Sequence, residues 1–170
     1  MSLFVRRMIR AARLDAALYE EVEADRSALG SATLVVVLSG IATGVMFSRG
    51  AGLFGLVAGT VTALASWFVW AFLTYLVGTR LLPEEKTEAD VGELLRTLGF
   101  ASTPGLIRFL GVVPHLGAPV FIISLLWMLA AMVVAVRQAL DYESTLRAVA
   151  VCAIGWVVKV LLLWLVHTVI

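Results

Sequence analysis

The chain has 170 residues, 61% of them apolar and 15% charged, with a formal net charge of +1 and a mean hydropathy of +1.00. Soluble domains run nearer half apolar and a quarter charged, so this composition is that of a membrane protein. A nearly balanced charge gives no basic footprint for nucleic acid, and a lone cysteine, Cys152, excludes an intramolecular disulfide and a multi-cysteine metal site.

Residues 1–28 read as a cytoplasmic lead-in. Leu14, Leu18 and Val22 recur every four residues, with Arg6, Arg10 and Arg13 mostly on another side, which predicts a helix. A basic amphipathic helix can lie in the headgroup layer. Its acidic second half, 15–25, would be repelled by anionic lipid, so a solvated helix touching a partner fits as well. The first apolar run begins only near Leu29, too far in for a cleavable signal peptide, and the mature chain is expected to be the whole chain.

Four runs, 29–47, 53–78, 119–136 and 148–170, are long and apolar enough to cross about 30 Å of hydrocarbon. Gly40 and Gly44 form a GxxxG pair in the first, and Gly55, Gly59 and Ala63 a small-residue ridge in the second. Such ridges let helix backbones approach closely in lipid, either within the first hairpin or between two copies. Residues 88–98 predict a second short surface helix, with Leu94, Leu95 and Leu98 facing inward.

A fifth candidate follows: GFASTPGLIRFLGVVPHLG, residues 99–117, holding four glycines, two prolines and Arg108. Charge decides whether it crosses. All twelve acids fall in 15–25, 84–93 or at Asp141 and Glu143, and ten of the thirteen basic residues lie in or beside those segments. Lysine and arginine gather on the cytoplasmic side. If 99–117 crosses, every charged segment is cytoplasmic; if it dips and returns, Arg137 and Arg147 move outside. Crossing fits better and gives five spans. Ser102 and Thr103 are N-cap types and Pro104 suits a first helical turn. An α-helix over 104–113 is only about 15 Å long. It must be extended by 93–101, kinked near Pro104 and enclosed by the other four spans, because irregular backbone at depth needs protein or water around it.

Arg108 and Lys159 are the ionisable residues inside apolar runs, and no acid lies there to pair with them. Intramembrane charges mark function by default. Carbonyls freed by Pro104 and Pro114, a lipid phosphate, a bound anion, or an acid on another subunit would each satisfy them. Catalysis lacks its parts: there are no paired aspartates, no serine with a base and no zinc motif. His115 and His167 read as interfacial polar residues, and no cofactor signature is present.

The string ELLRTLGFASTPGLI, then GVVPHLG, then ISLLWMLAAMVVAVRQAL and an RAVAV start to the last run, resembles the Yip family of Rab-interacting membrane proteins, in a short prokaryotic form. The resemblance covers roughly 29–169, and Gly99, Phe100 and Pro104 match the family's glycine–aromatic–proline pattern. It implies five spans, a cytoplasmic N-terminus and an external C-terminus. Eukaryotic members carry a long cytosolic region with an Asp-Leu-Tyr-Gly-Pro-type motif that this chain lacks, so Rab binding and vesicle trafficking do not carry over.

The expected protein is therefore all-α and polytopic: a cytoplasmic helix over 1–28 and a five-span domain over 29–170, in a bacterial cytoplasmic membrane. Its helix-break motif is Gly99, Phe100, Pro104, Gly105, Gly111 and Pro114; Gly40, Gly44, Gly55 and Gly59 pack helices; Arg108 and Lys159 meet a partner or lipid. The expected role is non-enzymatic, a scaffold or accessory subunit contacting membrane lipids and other subunits or a second copy, with no cofactor, metal or nucleic acid. The alternative is small-anion or lipid transport through the broken third span and Lys159.

Overall fold

The structure, a computed structural model, describes residues 1–47 and 52–169, and the side chains of all of these except 159, 160 and 162–169. Arg49 lies outside the described residues, and so do the side chains of Lys159 and His167. Among the described residues every regular element is helical.

The N-terminal segment is two helices, not one. α1 (Leu3–Ala12) starts at Ser2, whose hydroxyl accepts from the Val5 amide, and ends where Leu14 turns left-handed at φ 61°. The Leu14 and Asp15 amides donate back to the Ala11 and Arg10 carbonyls, a Schellman closure built without glycine. That backbone costs a leucine about 1–2 kcal/mol, which packing of its side chain on the core offsets. α2 (Ala16–Ala24) then folds back and sets acid against base. Arg7 pairs with Glu21 at 2.9 Å and Asp25 at 2.8 Å, and Arg10 with Asp15 at 2.7 Å and Glu21 at 2.5 Å. Three of the five acids in 15–25, Asp15, Glu21 and Asp25, are thus paired with arginines inside the hairpin.

α3 (Ala28–Phe47) and α4 (Gly52–Leu76) form an antiparallel pair. A Cβ on Gly40 would sit 2.9 Å from the Ala63 Cβ, and one on Gly44 3.3 Å from Leu56, so the two backbones are nearly touching. The small residues on α3 and α4 meet within one chain. α4 runs on through a π turn (Val77–Leu81), where Leu140 crosses so closely that a Cβ on Gly78 would lie 2.4 Å from it.

α5 (Val91–Ala101) begins at a capping box: Asp90 accepts from the Glu93 amide at 2.8 Å while the Glu93 side chain accepts from the Asp90 amide at 2.7 Å. It starts and ends later than the expected 88–98 and is not a surface helix. Leu94, Leu98, Phe100 and Ala101 are fully buried. Arg96 is buried with them and donates to the Val22 and Glu23 carbonyls at the C-terminus of α2, a cation where the helix dipole is negative.

After Ser102 the chain continues as a ten-residue 3₁₀ helix (Thr103–Val112) rather than the expected α-helix. At about 2.0 Å rise per residue it reaches about 20 Å, longer than an α-helix of the same residues. Ser102 and Thr103 do not cap it. Their hydroxyls donate backward, to the Leu98 carbonyl at 3.2 Å and the Phe100 carbonyl at 2.6 Å, and so satisfy the frayed end of α5. Pro104 is buried in the first turn, where its missing N–H leaves nothing unbonded.

This broken segment runs the length of α3 from Ala32, beside Gly99, to Met46, beside Gly111, and does not loop back. α6 (Gly117–Ala139) flanks it on the other side, and α4 and the N-terminal hairpin cover its first half. The expected enclosure by all four other long helices is only partial. α7 (Thr145–Val169) packs on α6, α4 and the π turn instead, and Leu110 is 58% exposed.

Among the described residues three helices are long and apolar enough to cross a membrane: Ala28–Phe47, Gly52–Leu81 and Gly117–Ala139. The described part of α7, Thr145–Val158, is apolar but shorter. α4 is the most outward of the three, with Leu53, Phe54, Val61 and Phe68 among its exposed side chains. The charged segments meet at one end. Lys86 pairs with Glu143 at 2.8 Å, Arg147 with Glu84 at 3.5 Å, and the Gln138 amide donates to Glu20 at 2.7 Å.

Candidate functional site

The site is built by the period of the 3₁₀ helix. With three residues per turn, Gly105, Arg108 and Gly111 lie on one stripe, one turn apart. In an α-helix each step of three would rotate by about 60° away from that line. The stripe faces α3. A Cβ on Gly105 would be 2.1 Å from the Ser39 hydroxyl, and one on Gly111 2.8 Å from the Met46 sulfur. The two glycines bring the backbones together above and below, and the arginine between them is laid into the seam.

Arg108 spans that seam. Its Nε donates to Ser124 Oγ on α6 at 2.9 Å, its Nη1 to Thr43 Oγ1 on α3 at 3.0 Å, and its Nη2 lies 3.4 Å from the Met128 sulfur. The guanidinium carbon sits 5.5 Å from the centre of the Phe121 ring, a cation–π distance. Both hydroxyl partners are themselves oriented. Thr43 donates to the Ser39 carbonyl at 2.8 Å and Ser124 to the Phe121 carbonyl at 2.8 Å, which leaves oxygen lone pairs for the arginine. Every one of these partners is neutral. The half-buried guanidinium is hydrogen-bonded but not charge-balanced.

It forms the floor of a cleft of about 530 Å³ between α4 and α6, two helices that pack little against each other. Ser39 and Thr43 of α3, Ser66 and Trp70 of α4, Ser102 at the end of α5, Met128 and Met132 of α6 and Trp156 of α7 line it, and no carboxylate is among the lining residues. Trp67 fixes the rim by donating to the Leu95 carbonyl at 3.1 Å.

The remaining sequence candidates fall elsewhere. Gly99 sits where a Cβ would be 2.7 Å from that of Ala32, and Phe100 is fully buried behind it. Pro114 is exposed, next to His115, whose φ of 70° makes the turn into α6. A Cβ on Gly59 would lie 3.5 Å from the Gly44 Cα, and the Gly55 carbonyl faces Gly44. Arg108 and Lys159 are not joined by any described contact, since the Lys159 side chain lies outside the described residues. Cys152 is buried among apolar neighbours, and among the described residues no cluster of three His, Cys, Asp or Glu could hold a metal. Sequence reasoning missed Arg96, the buried lock between α5 and α2; its position three residues past the capping-box Glu93, inside a helix with leucines on both sides, was the available signal.

An all-helical bundle with long outward-facing apolar helices and one charged end is an integral membrane protein. Residues 15–167, nearly the whole chain, match the Yip1 domain, and the chain belongs to that family. No curated protein and no solved structure matches it significantly.

Proposed function

We propose that this Yip1-domain chain is a non-enzymatic, five-span scaffold or accessory subunit of a membrane protein assembly in a bacterial cytoplasmic membrane. The N-terminus is cytoplasmic and the C-terminus external. The third span is α5 with the 3₁₀ helix and the fifth is α7, so that residues 1–28 form a cytoplasmic hairpin on a membrane domain over 29–170. Membrane lipids and other subunits, or a second copy, are its contacts.

The observation that carries this reading is the gathering of all three charged segments at one end of the bundle, tied by Lys86–Glu143, Arg147–Glu84 and Arg96 on the α2 carbonyls. That arrangement supports a broken segment that travels from the charged end to the far end, and the positive-inside rule supports a cytoplasmic charged end. The same end is a composite surface of hairpin, loop and helix termini, suited to holding another protein. The test has two arms. A C-terminal reporter that works only outside the cytoplasm should be active; activity only of a cytoplasmic reporter refutes the five-span orientation. Mild-detergent purification from native membranes, read by mass spectrometry, should recover a stoichiometric membrane subunit or a second copy. Recovery of the lone chain alone refutes the scaffold role.

A further inference from the structure

We propose that the cleft floored by Arg108 is a binding site for one anionic phospholipid, with the lipid phosphate on the guanidinium and an acyl chain along α6. Among the described residues Arg108 is a charge without a counter-ion. All twelve acids of the chain sit in the charged segments, and the described partners of Arg108 are two hydroxyls, a thioether and a ring face. Three of the five guanidinium N–H groups are engaged, and one on each terminal nitrogen is left over. A planar fork with paired donors suits the oxygens of a phosphate, and a cation away from bulk water gains most from a fixed anion.

The shape of the cleft then selects an amphiphile over a bare ion. A small anion needs only the floor, whereas the cleft, about 530 Å³ in all, is also lined by Leu125, Met128, Leu129 and Met132. Methionine walls adapt to an irregular chain. The lips are open: Leu125 is 41% and Leu129 40% exposed, facing Ala58 and Thr62 across the mouth. A tail can leave sideways without crossing protein.

The direction also fits. Arg108 bonds Thr43, four residues before the end of α3, and Ser124, seven residues into α6. It therefore lies about 6–10 Å below the helix ends that face away from the charged end. The apolar part of the cleft extends from there toward Met132, farther along α6, and Trp156 of α7, nearer the charged end. A lipid of that leaflet has the same polarity, phosphate near the surface and chains toward the midplane. The proposal rests on the membrane-crossing part of the functional reading, and not on the scaffold role.

The test uses the full chain in nanodiscs of phosphatidylcholine with increasing phosphatidylglycerol, and native mass spectrometry to count lipid carried out of the disc. One phosphatidylglycerol per chain should be retained in preference to phosphatidylcholine. Arg108→Gln should lower that retention tenfold or more, because losing a hydrogen-bonded charge weakens binding by about that factor. Arg108→Lys should fall between, keeping the charge but not the fork. Leu129→Trp, at the exposed lip and outside the hydrogen bonds of Arg108, should lower it too, which guards against Arg108→Gln simply unfolding the bundle. Equal retention of both lipids, or retention unchanged in Arg108→Gln and Leu129→Trp, overturns the site. So does a second result: inorganic phosphate stabilising the lipid-free chain through Arg108 while phosphatidylglycerol is not retained, which would make the occupant a soluble anion. A failed C-terminal reporter would overturn the five-span topology without moving these retention ratios, so the two failures are separable.

Discussion

α3 carries two glycine-lined seams, one with α4 and one with the broken segment, and they are built on different repeats. Toward α4 the small residues are four apart, Gly40 and Gly44 against Gly55, Gly59 and Ala63, the spacing that keeps a stripe on one face of an α-helix. Toward the broken segment the glycines are six apart: Gly99, Gly105 and Gly111. From Gly105 to Gly111 six residues make two turns of the 3₁₀ helix, while Gly99 lies in the last turn of α5; the three meet Ala32, Ser39 and Met46, seven apart, close to two turns of α3. Between Gly105 and Gly111 the spacing of the small residues follows the repeat of the helix that bears them. A proline and six-spaced glycines in an apolar run thus mark a tightened helix rather than a broken one.

The two seams also differ in what stands opposite the glycine, and this ranks their sensitivity. At Gly99 the neighbours of an added methyl are the Ala32 Cβ at 2.7 Å and its carbonyl oxygen at 3.1 Å, with no flexible side chain to yield. Gly99→Ala should push α5 off α3 and cost about 3 kcal/mol, the upper end of ordinary overpacking. Thermal unfolding in one detergent would show it as the largest loss among single methyl additions. A wild-type melting curve would mean that α5 and α3 are not in register as described. Gly40→Ala should come next, at about 1–2 kcal/mol. It meets the Ala63 Cβ at 2.9 Å and the Thr60 Cα at 3.2 Å, but α3 and α4 are continuous helices that can shift as rods, and alanine returns part of the loss in helix propensity.

Gly111→Ala turns the comparison around. Its close atoms, at 2.8 to 3.1 Å, all belong to the Met46 side chain, which has rotamers to spare. The expected loss is below about 1 kcal/mol. A loss as large as that of Gly99→Ala would show that Met46 is pinned and that the far end of the seam is as rigid as the near end.

How far these features can be read from residues alone follows from the same periods. The long apolar runs of α3, α4 and α6 are legible because hydrocarbon thickness fixes their length, and the grouping of charge into three segments points to their meeting at one end. Arg108 was visible as a charge in an apolar run. Its surroundings were not, because placing Ser124 and Thr43 beside it needs the three-residue repeat, and a reading at 3.6 residues per turn sends Gly105 and Gly111 to different faces. The break at Leu14 was illegible for another reason: a Schellman closure without glycine carries no local signal, and the leucine repeat runs straight across it. Arg96 looked like one more cytoplasmic cation, since its partners are backbone carbonyls of α2, which no side-chain pattern reveals.

Among the described residues neither glycine seam contains a carboxyl group, whereas the contact of α2 with α5 does, and pH separates them. Burial, then repulsion from Asp141, Glu93 and Glu20, raises the Glu23 carboxyl from 4.5 to about 7, with Arg96 opposing the shift. The Asp141 carboxyl is raised as well, chiefly by burial. A carboxyl whose folded value lies above its unfolded one is penalised when charged, fully so above about pH 7, and is relieved as pH falls toward 4.5. Docking of α2 should therefore tighten between pH 8 and pH 5. Below that range the sign reverses in the neighbouring clamp. Asp15, Glu21 and Asp25 are held below their usual values by Arg10, Arg7 and Ser27, so their contribution is lost when acid protonates them. Amide exchange on α2 should pass through a minimum of opening near pH 5, after correction for the intrinsic rate, while the α3–α4 seam stays flat across the range. Glu23→Gln should abolish the slope between pH 8 and pH 5 and leave the acid limb in place. A slope that survives Glu23→Gln would assign it to Asp141, and movement of the α3–α4 seam with pH would show that the charged end and the glycine seams are one cooperative unit.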